Sequence, residues 1–458
     1  MARTRFNTLA IPTPDALVFG RAPKPVTCPS GLTIGGGQVY PELNFTLPPM
    51  LLDDNTWPDA RRHYQEIGEA IVRRAGALRV PGLAIEFEQL PPMTQHPQWG
   101  AEITAVLAES LKRLRETTGI PTALRVTVVD MRDAEHPPRL RDGEAWENMR
   151  EAFITAAQAG ADILSIESVG GKEVHDQALL FGDLTALCVA LGSLAARDMA
   201  WLWENITAIA NQYGIVAGGD SACGFANTAM QLAGQGMLPS VLAAVDRAAT
   251  APRTLVAHEH GAVGPSKDCA YEGPVLKAIT GCPISMEGKS SSCAHFSPLG
   301  NIAAAAADLW SNESVQNIRL LSGSAPEAFL ELLAYDCRLF NRASDAGDAL
   351  KLRDWMVESD VPTSVEALML EPTVVIDLAR GIAEEPTDYA RTVRAVRIAI
   401  DAIHKAINAG RIKLTDRDET WLEQLSAAAE TLPAKEEEAL AAIADEYGSL
   451  YNPRSYDL

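Results

Sequence analysis

Short apolar segments alternate with helical ones through the middle of this chain, and that alternation limits the fold more than any other feature of the sequence. Residues 83–88, 123–130, 163–167, 215–220, 254–258, 283–287 and 318–321 read as strands. Between them, residues 101–118 carry Ile103, Val106, Leu107, Leu111 and Leu114 at helical spacing. Trp146, Met149, Phe153 and Ala156 form the apolar face of a helix that stops at Gly160. Further helices are expected over 174–213, broken near Gly192, and over 227–249, 302–310 and 326–340. Strands that alternate with helices are parallel and joined by right-handed crossovers. Apolar runs of only four or five residues suit strands buried on both faces. The expected class is α/β, a (β/α)8 TIM barrel over residues 56–370, with residues 368–370 as the best candidate for its eighth strand.

The flanks differ in character. Residues 1–55 are rich in Pro and Gly and read as an irregular N-terminal arm that closes one end of the barrel or meets a partner. Residues 371–458 read as a C-terminal helical extension, with helices over 374–384, 389–408, 418–430 and 436–447. The net charge of −21 argues against a binder of the nucleic-acid backbone, which needs a basic patch. No apolar run reaches the roughly 18 residues of a membrane helix, and Pro12, Pro14 and Asp15 interrupt any signal-peptide core, so a cytoplasmic location is expected. The seven cysteines are odd in number and widely spread; in a reducing compartment they are thiols or metal ligands rather than disulfides.

In such a barrel the loops after the strands share one face, and catalytic residues sit at strand C-termini. Glu167 ends the third expected strand, Cys223 follows the fourth by three residues, and Cys269 lies in the loop after the fifth. These loops are neighbours, so the three side chains can converge. Two thiolates and a carboxylate suit zinc, and three protein ligands leave a fourth position open. Three anionic ligands give a net −1 site, a weaker Lewis acid than one built on histidines. Each residue also has an ordinary explanation: a buried thiol for either cysteine, a hydrogen-bonding loop residue for Glu167, and a plain turn for Gly170 and Gly171.

Other candidates share the expected mouth. His258 and His260 form a His-x-His at a strand end, as in metal-dependent hydrolases, or act as partners of a ligand. Lys172, Glu173, His175 and Asp176 read as a solvated first helical turn. Asp220 and Ser221, and Lys267 and Asp268, flank the cysteines and orient them or cap helices. Glu287, Lys289 and the serines 290–292 follow the sixth strand, with no phosphate-loop pattern. Cys282 and Cys293 bracket that strand, Cys282 at its wrong end for the site.

Three stretches together resemble a known family. Residues 165–176 (SIESVGGKEVHD), 219–227 (GDSACGFAN) and 267–274 (KDCAYEGP) are similar to the zinc subunit of methanol:corrinoid methyltransferases, and the likeness runs over most of the chain. It implies a zinc-bearing TIM barrel, with Glu167, Cys223 and Cys269 as the zinc ligands. It implies a homodimer that docks a separate corrinoid protein, and transfer of the methyl group of methanol to the cob(I)alamin of that partner. The corrinoid is assigned to the partner because no Asp-x-His-x-x-Gly loop occurs here. Gly170 and Gly171 then read as clearance for the corrinoid, and Phe225, Met286 and Phe296 as the lining of a small alcohol pocket. The alternatives are a metal-dependent hydrolase using His258 and His260, a zinc enzyme with another methyl donor, and a non-catalytic scaffold for the corrinoid protein.

Overall fold

Strands β1 (Arg21–Thr27) and β2 (Thr33–Gly36) pair as an antiparallel hairpin. Seven further strands form one parallel sheet: β3 (Tyr40–Thr46), β4 (Leu83–Glu88), β5 (Thr122–Val129), β6 (Ile163–Glu167), β7 (Val216–Asp220), β8 (Ser285–Glu287) and β9 (Leu309–Val315). Their order is β7-β6-β5-β4-β3-β9-β8, and every neighbouring pair is parallel. The computed structural model describes residues 3–47, 50–288, 299–315, 319–320 and 323–458.

The gap between β7 and β8 is spanned by an extended segment, residues 263–268. Val263 and Gly264 donate their N–H groups to the carbonyls of Ala217 and Gly218 (2.9 and 2.8 Å). On the other side Glu287 donates to the Asp268 carbonyl (2.9 Å). Pro265 has no N–H and interrupts a regular ladder. Arg125, reaching from β5, donates to the carbonyls of Pro265 (3.0 Å) and Ser266 and so satisfies the segment from inside. The ring is thereby a TIM barrel, wound in chain order with crossover helices such as Trp57–Leu78, Pro97–Thr118 and Glu144–Ala159 outside it.

Several expected elements change place. The first barrel strand is β3, inside the stretch expected to be an arm; its Tyr40, Glu42 and Asn44 are too polar to read as a buried strand. Residues 254–258 lie in a helix, Ala251–Glu259, buried on all sides. A helix buried all round has no amphipathic period, and its β-branched Thr254 and Val256 imitate a strand. Pro252 sits in its first turn, where the missing N–H costs nothing. Residues 302–310 are not one helix: a short helix (Leu299–Ile302) and a 3-10 turn (Ala303–Ala306) lead into β9. Of residues 318–321, only Arg319 and Leu320 are described, as half of a two-residue antiparallel ladder. Residues 368–370 end a helical turn (Val365–Leu368) rather than forming a strand.

Residues 172–213 form a helix Lys172–Phe181, then a longer helical run from Leu184 to Tyr213 with a π-helical stretch at Ala190–Ala195. The break falls at Gly182 and Asp183, where the Asp183 carboxylate accepts from the N–H groups of Thr185 and Ala186 (both 3.0 Å). The run from Leu184 to Tyr213 is long and apolar enough to cross a membrane, contrary to the expectation, but 78% of its most apolar window is buried inside the protein. The four C-terminal helices fall where expected, at Pro372–Glu384, Asp388–Asn408, Asp416–Glu430 and Glu436–Tyr447.

The β1–β2 hairpin closes one end of the barrel. Cys28, Leu32 and Ile34 cluster with Ala84, Ala123, Ile163, Val216 and Leu309, all at or near the N-terminal ends of barrel strands. Above this plug lies a layer of buried charge. Arg125 pairs with Glu42 (2.8 Å) and approaches Glu86 (3.8 Å), all three fully buried. Only the C-terminal end of the barrel remains for chemistry.

Candidate metal centre

The loop that follows β6 is held by side chains rather than by a ladder. The N–H of Ser168 goes to Asp220 Oδ1 (3.2 Å), that of Val169 to Asp130 Oδ2 (3.0 Å) and that of Gly171 to the Tyr456 hydroxyl (3.0 Å). A Cβ on Gly170 would collide with Asp198. Gly171 has φ +80°, and its Cβ would lie 2.6 Å from the Ala190 carbonyl. Both glycines are buried and face the chain's own helices. Close packing of the loop, not clearance for a corrinoid at the mouth, accounts for them.

After β7, Asp220 acts as the hub of the next loop. Its Oδ1 accepts from Ser221 N (2.9 Å) and Arg253 (3.1 Å), and its Oδ2 from Trp203 Nε1 (3.0 Å). Cys223 then opens a π-helical turn, Cys223–Asn227, a widened turn frequent at functional sites. The Ser221 hydroxyl accepts from Cys223 N (2.9 Å) and lies 3.2 Å from Cys269 Sγ. Cys269 follows the extended segment that closes the barrel and is fully buried.

Glu167, Cys223 and Cys269 meet. A carboxylate oxygen and the two sulfurs lie within 4.8 Å of one another, and Cys269 Sγ is 3.1 Å from Glu167 Oε1. The three loops are adjacent as expected, although their strands are the fourth, the fifth and the irregular segment rather than the third to fifth. Lys267 stands beside them, 3% exposed, with Nζ 3.2 Å from Glu167 Oε1, 3.3 Å from Glu88 and 2.9 Å from Asp268. Burial works against its charge, but Asp268, Cys269, Glu88 and Glu86 prevail and hold its pKa well above the usual lysine value. Burial pushes the Cys269 thiol well up, and Glu167 adds to this. Burial likewise raises the Glu167 carboxyl, with Lys267 pulling it back and Glu88 pushing it further. A cleft of about 200 Å³ opens on Glu167, lined also by Glu88, Thr127, Asp130, Lys172 and Gly224.

The other candidates are elsewhere or have other duties. His258 and His260 end the helix 251–259. The Nδ1 of His258 faces the Ala262 carbonyl (3.1 Å), and His260 faces Glu204 (3.2 Å). Burial lowers the His258 pKa to about 4. Neither belongs to the ligand group. His175 is not in a solvated turn: it is fully buried, 3.0 Å from Asp246 and 3.2 Å from Asp176. Phe225 packs edge-on to His175 (4.9 Å) and under Arg253 (4.7 Å), behind the cysteine turn rather than in the cleft. Met286 is buried against Gly273. Lys289, the serines 290–292, Cys293 and Phe296 lie outside the described residues. Cys282 is buried at the opposite end, as expected.

Sequence reasoning missed Asn44, Glu86, Glu88, Arg125 and Ser311. Asn44 Nδ2 donates to Glu88 (3.3 Å) and Asp268 (3.4 Å), and the Ser311 hydroxyl to Asp268 (2.7 Å). One signal was available: Glu86 and Glu88 sit two apart in an otherwise apolar strand, so both face the barrel interior.

Comparison with known proteins extends over nearly the full length of the chain. Residues 3–457 match the family model of the methanol-cobalamin methyltransferase B subunit. A methanol–corrinoid protein co-methyltransferase of Methanosarcina barkeri (strain Fusaro / DSM 804) is 35% identical over 463 residues, covering all of both chains. The crystal structure of the methanol:cobalamin methyltransferase complex MtaBC from Methanosarcina barkeri contains a chain that superposes with a TM-score of 0.94, at 34% identity, over 99% of this chain and 100% of that one. A match of this extent in sequence and in shape shows that the chain belongs to the methanol-cobalamin methyltransferase B subunit family.

Proposed function

We propose that this chain transfers the methyl group of methanol to the corrinoid of a separate protein, with a zinc ion held by Glu167, Cys223 and Cys269. The observation that carries the reading is the meeting of one carboxylate oxygen and two sulfurs at the only end of the barrel that the hairpin leaves open, in a chain of this family. The donor set fits. Ligands at about 2.0–2.3 Å from a tetrahedral zinc stand roughly 3.3–3.8 Å apart, and donors already within 4.8 Å need only small side-chain adjustments. When bound, zinc supplies a Lewis acid that polarises the C–O bond of methanol and eases departure of its oxygen.

The chain's own residues do the rest. Lys267 offsets the negative charge that Glu167, Glu88 and Asp268 gather at the mouth, and it holds Glu167 Oε1 in place. Ser221 ties the two cysteine loops together. Cys269 is sealed from solvent, whereas Glu167 and Cys223 are half-buried, and Glu167 together with Gly224, the neighbour of Cys223, lines the cleft. That cleft has room for a small alcohol. The apolar plug leaves the same side for the approach of the partner's corrinoid.

Three further parts of the reading rest on the family resemblance and on composition. Two copies of the chain pair within the complex. The complex works in the cytoplasm. Residues 371–458 serve as an extension of the barrel rather than as a separate catalytic unit.

The test is direct. Zinc-replete protein is mixed with cob(I)alamin and methanol, and the cob(I)alamin absorbance is followed. Methanol-dependent conversion is expected, and its absence would overturn the assignment.

A further inference from the structure

We propose that Asn227 is a positioning residue for both cysteines and that Arg247 fixes the direction of its amide, so that an N–H group rather than an oxygen faces the Cys223 sulfur. The inference rests on the reading of Cys223 and Cys269 as zinc ligands and deepens it.

The wide turn Cys223–Asn227 brings residue 227 back beneath residue 223. Asn227 Nδ2 lies 3.3 Å from Cys223 Sγ and 3.4 Å from the Cys269 carbonyl oxygen, so one amide nitrogen reaches both cysteine-bearing loops. The two ends of an amide are chemically opposite: the nitrogen only donates and the oxygen only accepts. A reversed amide would set an acceptor against a thiolate and a carbonyl. Arg247 prevents the reversal, because a guanidinium only donates and its Nη2 is bonded to Asn227 Oδ1.

Arg247 is itself fixed. It is 2% exposed, its guanidinium lies 5.2 Å over the Tyr271 ring, and Nη1 is 3.8 Å from Glu272 Oε2. Glu272 accepts from the N–H of Ala222 (2.8 Å), the residue before Cys223, and from the Thr254 hydroxyl (2.7 Å). Tyr271 and Glu272 follow Cys269 in the chain. The path from Glu272 through Arg247 and Asn227 to Cys223 thus joins the two ligand loops through buried groups.

Its chemical effect follows from the donor set. Two thiolates and a carboxylate leave the zinc site with a net charge of −1 and a weak Lewis acid. An N–H donated to a thiolate draws charge out of the sulfur, and less is passed to the metal. Outer partners of this kind tune a metal through its ligands.

The experiment uses the full chain with cobalt(II) in place of zinc and reads the sulfur-to-cobalt charge-transfer band. The unaltered protein takes up one cobalt and shows the band; no band there would overturn the ligand reading itself, and this inference with it. Asn227→Asp keeps the volume but puts an oxygen against the sulfur. It moves the band to longer wavelength and weakens zinc binding about 10- to 100-fold. Asn227→Ala, which serves if the first variant does not fold, moves the band in the same direction. Arg247→Met removes the donor that holds the amide oxygen and moves the band in the same direction as the Asn227 variants; a band that stays in place in Arg247→Met would overturn the role given to Arg247. A normal band in the unaltered protein that does not move in either Asn227 variant would overturn the inference while leaving the zinc ligands standing.

Discussion

The two ends of the barrel are built on opposite principles. At the N-terminal end Leu32 and Ile34 of the hairpin form an apolar cluster with Ala84, Ala123, Ile163, Val216 and Leu309, and the hairpin turn is tied down by Ser30 N–H donating to Asp162 (2.8 Å). At the C-terminal end three of those strands deliver Glu88, Glu167 and the loop of Cys223, and the extended segment beside β7 delivers Lys267 and Cys269. Strand β6 takes part in both: Ile163 is in the plug and Glu167 in the site, about 13 Å apart at strand rise. Between them Glu42, Glu86 and Arg125 form a fully buried ionic layer. The plug is stabilised by area removed from water, and it shuts one face. The mouth gathers carboxylates and thiols at a cost that only a cation offsets. Stability and chemistry are thus separated along single strands.

The largest effect that separates the ends is expected from Cys269→Ser. It removes a donor from the mouth and touches nothing in the plug. Zinc content and methyl-transfer rate fall together, by more than the about 10- to 100-fold typical of outer partners. Metal analysis beside the cob(I)alamin assay checks this, and unchanged zinc would take Cys269 out of the site. Lys267→Met comes next. It leaves Glu167, Glu88 and Asp268 without their cation, and breaking a buried charge set of this kind costs about 3–5 kcal/mol. Denaturant titration measures it; a loss below 1 kcal/mol would mean that solvent, not Lys267, screens these carboxylates.

At the other end Leu32→Ala opens a hole in the plug and costs about 2–5 kcal/mol. Zinc stoichiometry and the Michaelis constant for methanol are expected to stay as they were. A change in either would show that the ends are coupled through the layer of Glu42, Glu86 and Arg125.

The same contrast explains what was legible in the sequence. Strands β4 to β7 lie where the pattern puts them, because their apolar residues still dominate over inward polar ones such as Glu86, Arg125 and Ser165. The C-terminal helices have one apolar and one polar face, so their period shows. The first strand failed because Glu42 and Asn44 point into a polar barrel interior, which no hydrophobic pattern reports. The helix 251–259 failed because burial on all sides erases the period. Glu167, Cys223 and Cys269 were legible as strand-end residues on adjacent loops, even with the strands miscounted, since adjacency survives a shift in numbering. Lys267 was noticed only as a neighbour of Cys269. Of the carboxylates around it only Asp268 is its neighbour in the chain; Glu86, Glu88 and Glu167 come from β4 and β6, so most of its role depends on tertiary structure.

The smallest expected effect probes how charge supports the mouth from behind. His175 is fully buried and backs Phe225 of the cysteine turn. Burial alone would lower its pKa, but Asp246 and Asp176 overcome this and raise it to about 9. Lys172 faces the same group through its ion pair with Asp176. A histidine whose folded pKa lies above its unfolded value of about 6.5 stabilises the fold fully below that value. The contribution is lost as pH rises from about 6.5 through 9. The upper bound is about 3 kcal/mol, from a shift of roughly 2.5 units at 1.36 kcal/mol each. Stability of the full chain by denaturant titration at pH 6 and at pH 9.5 is expected to drop by about 1–3 kcal/mol, and His175→Gln is expected to remove that part of the slope. Equal slopes for the variant and the unaltered protein would mean that His175 is neutral in the folded state and that the turn carrying Cys223 is held by packing, as the plug is.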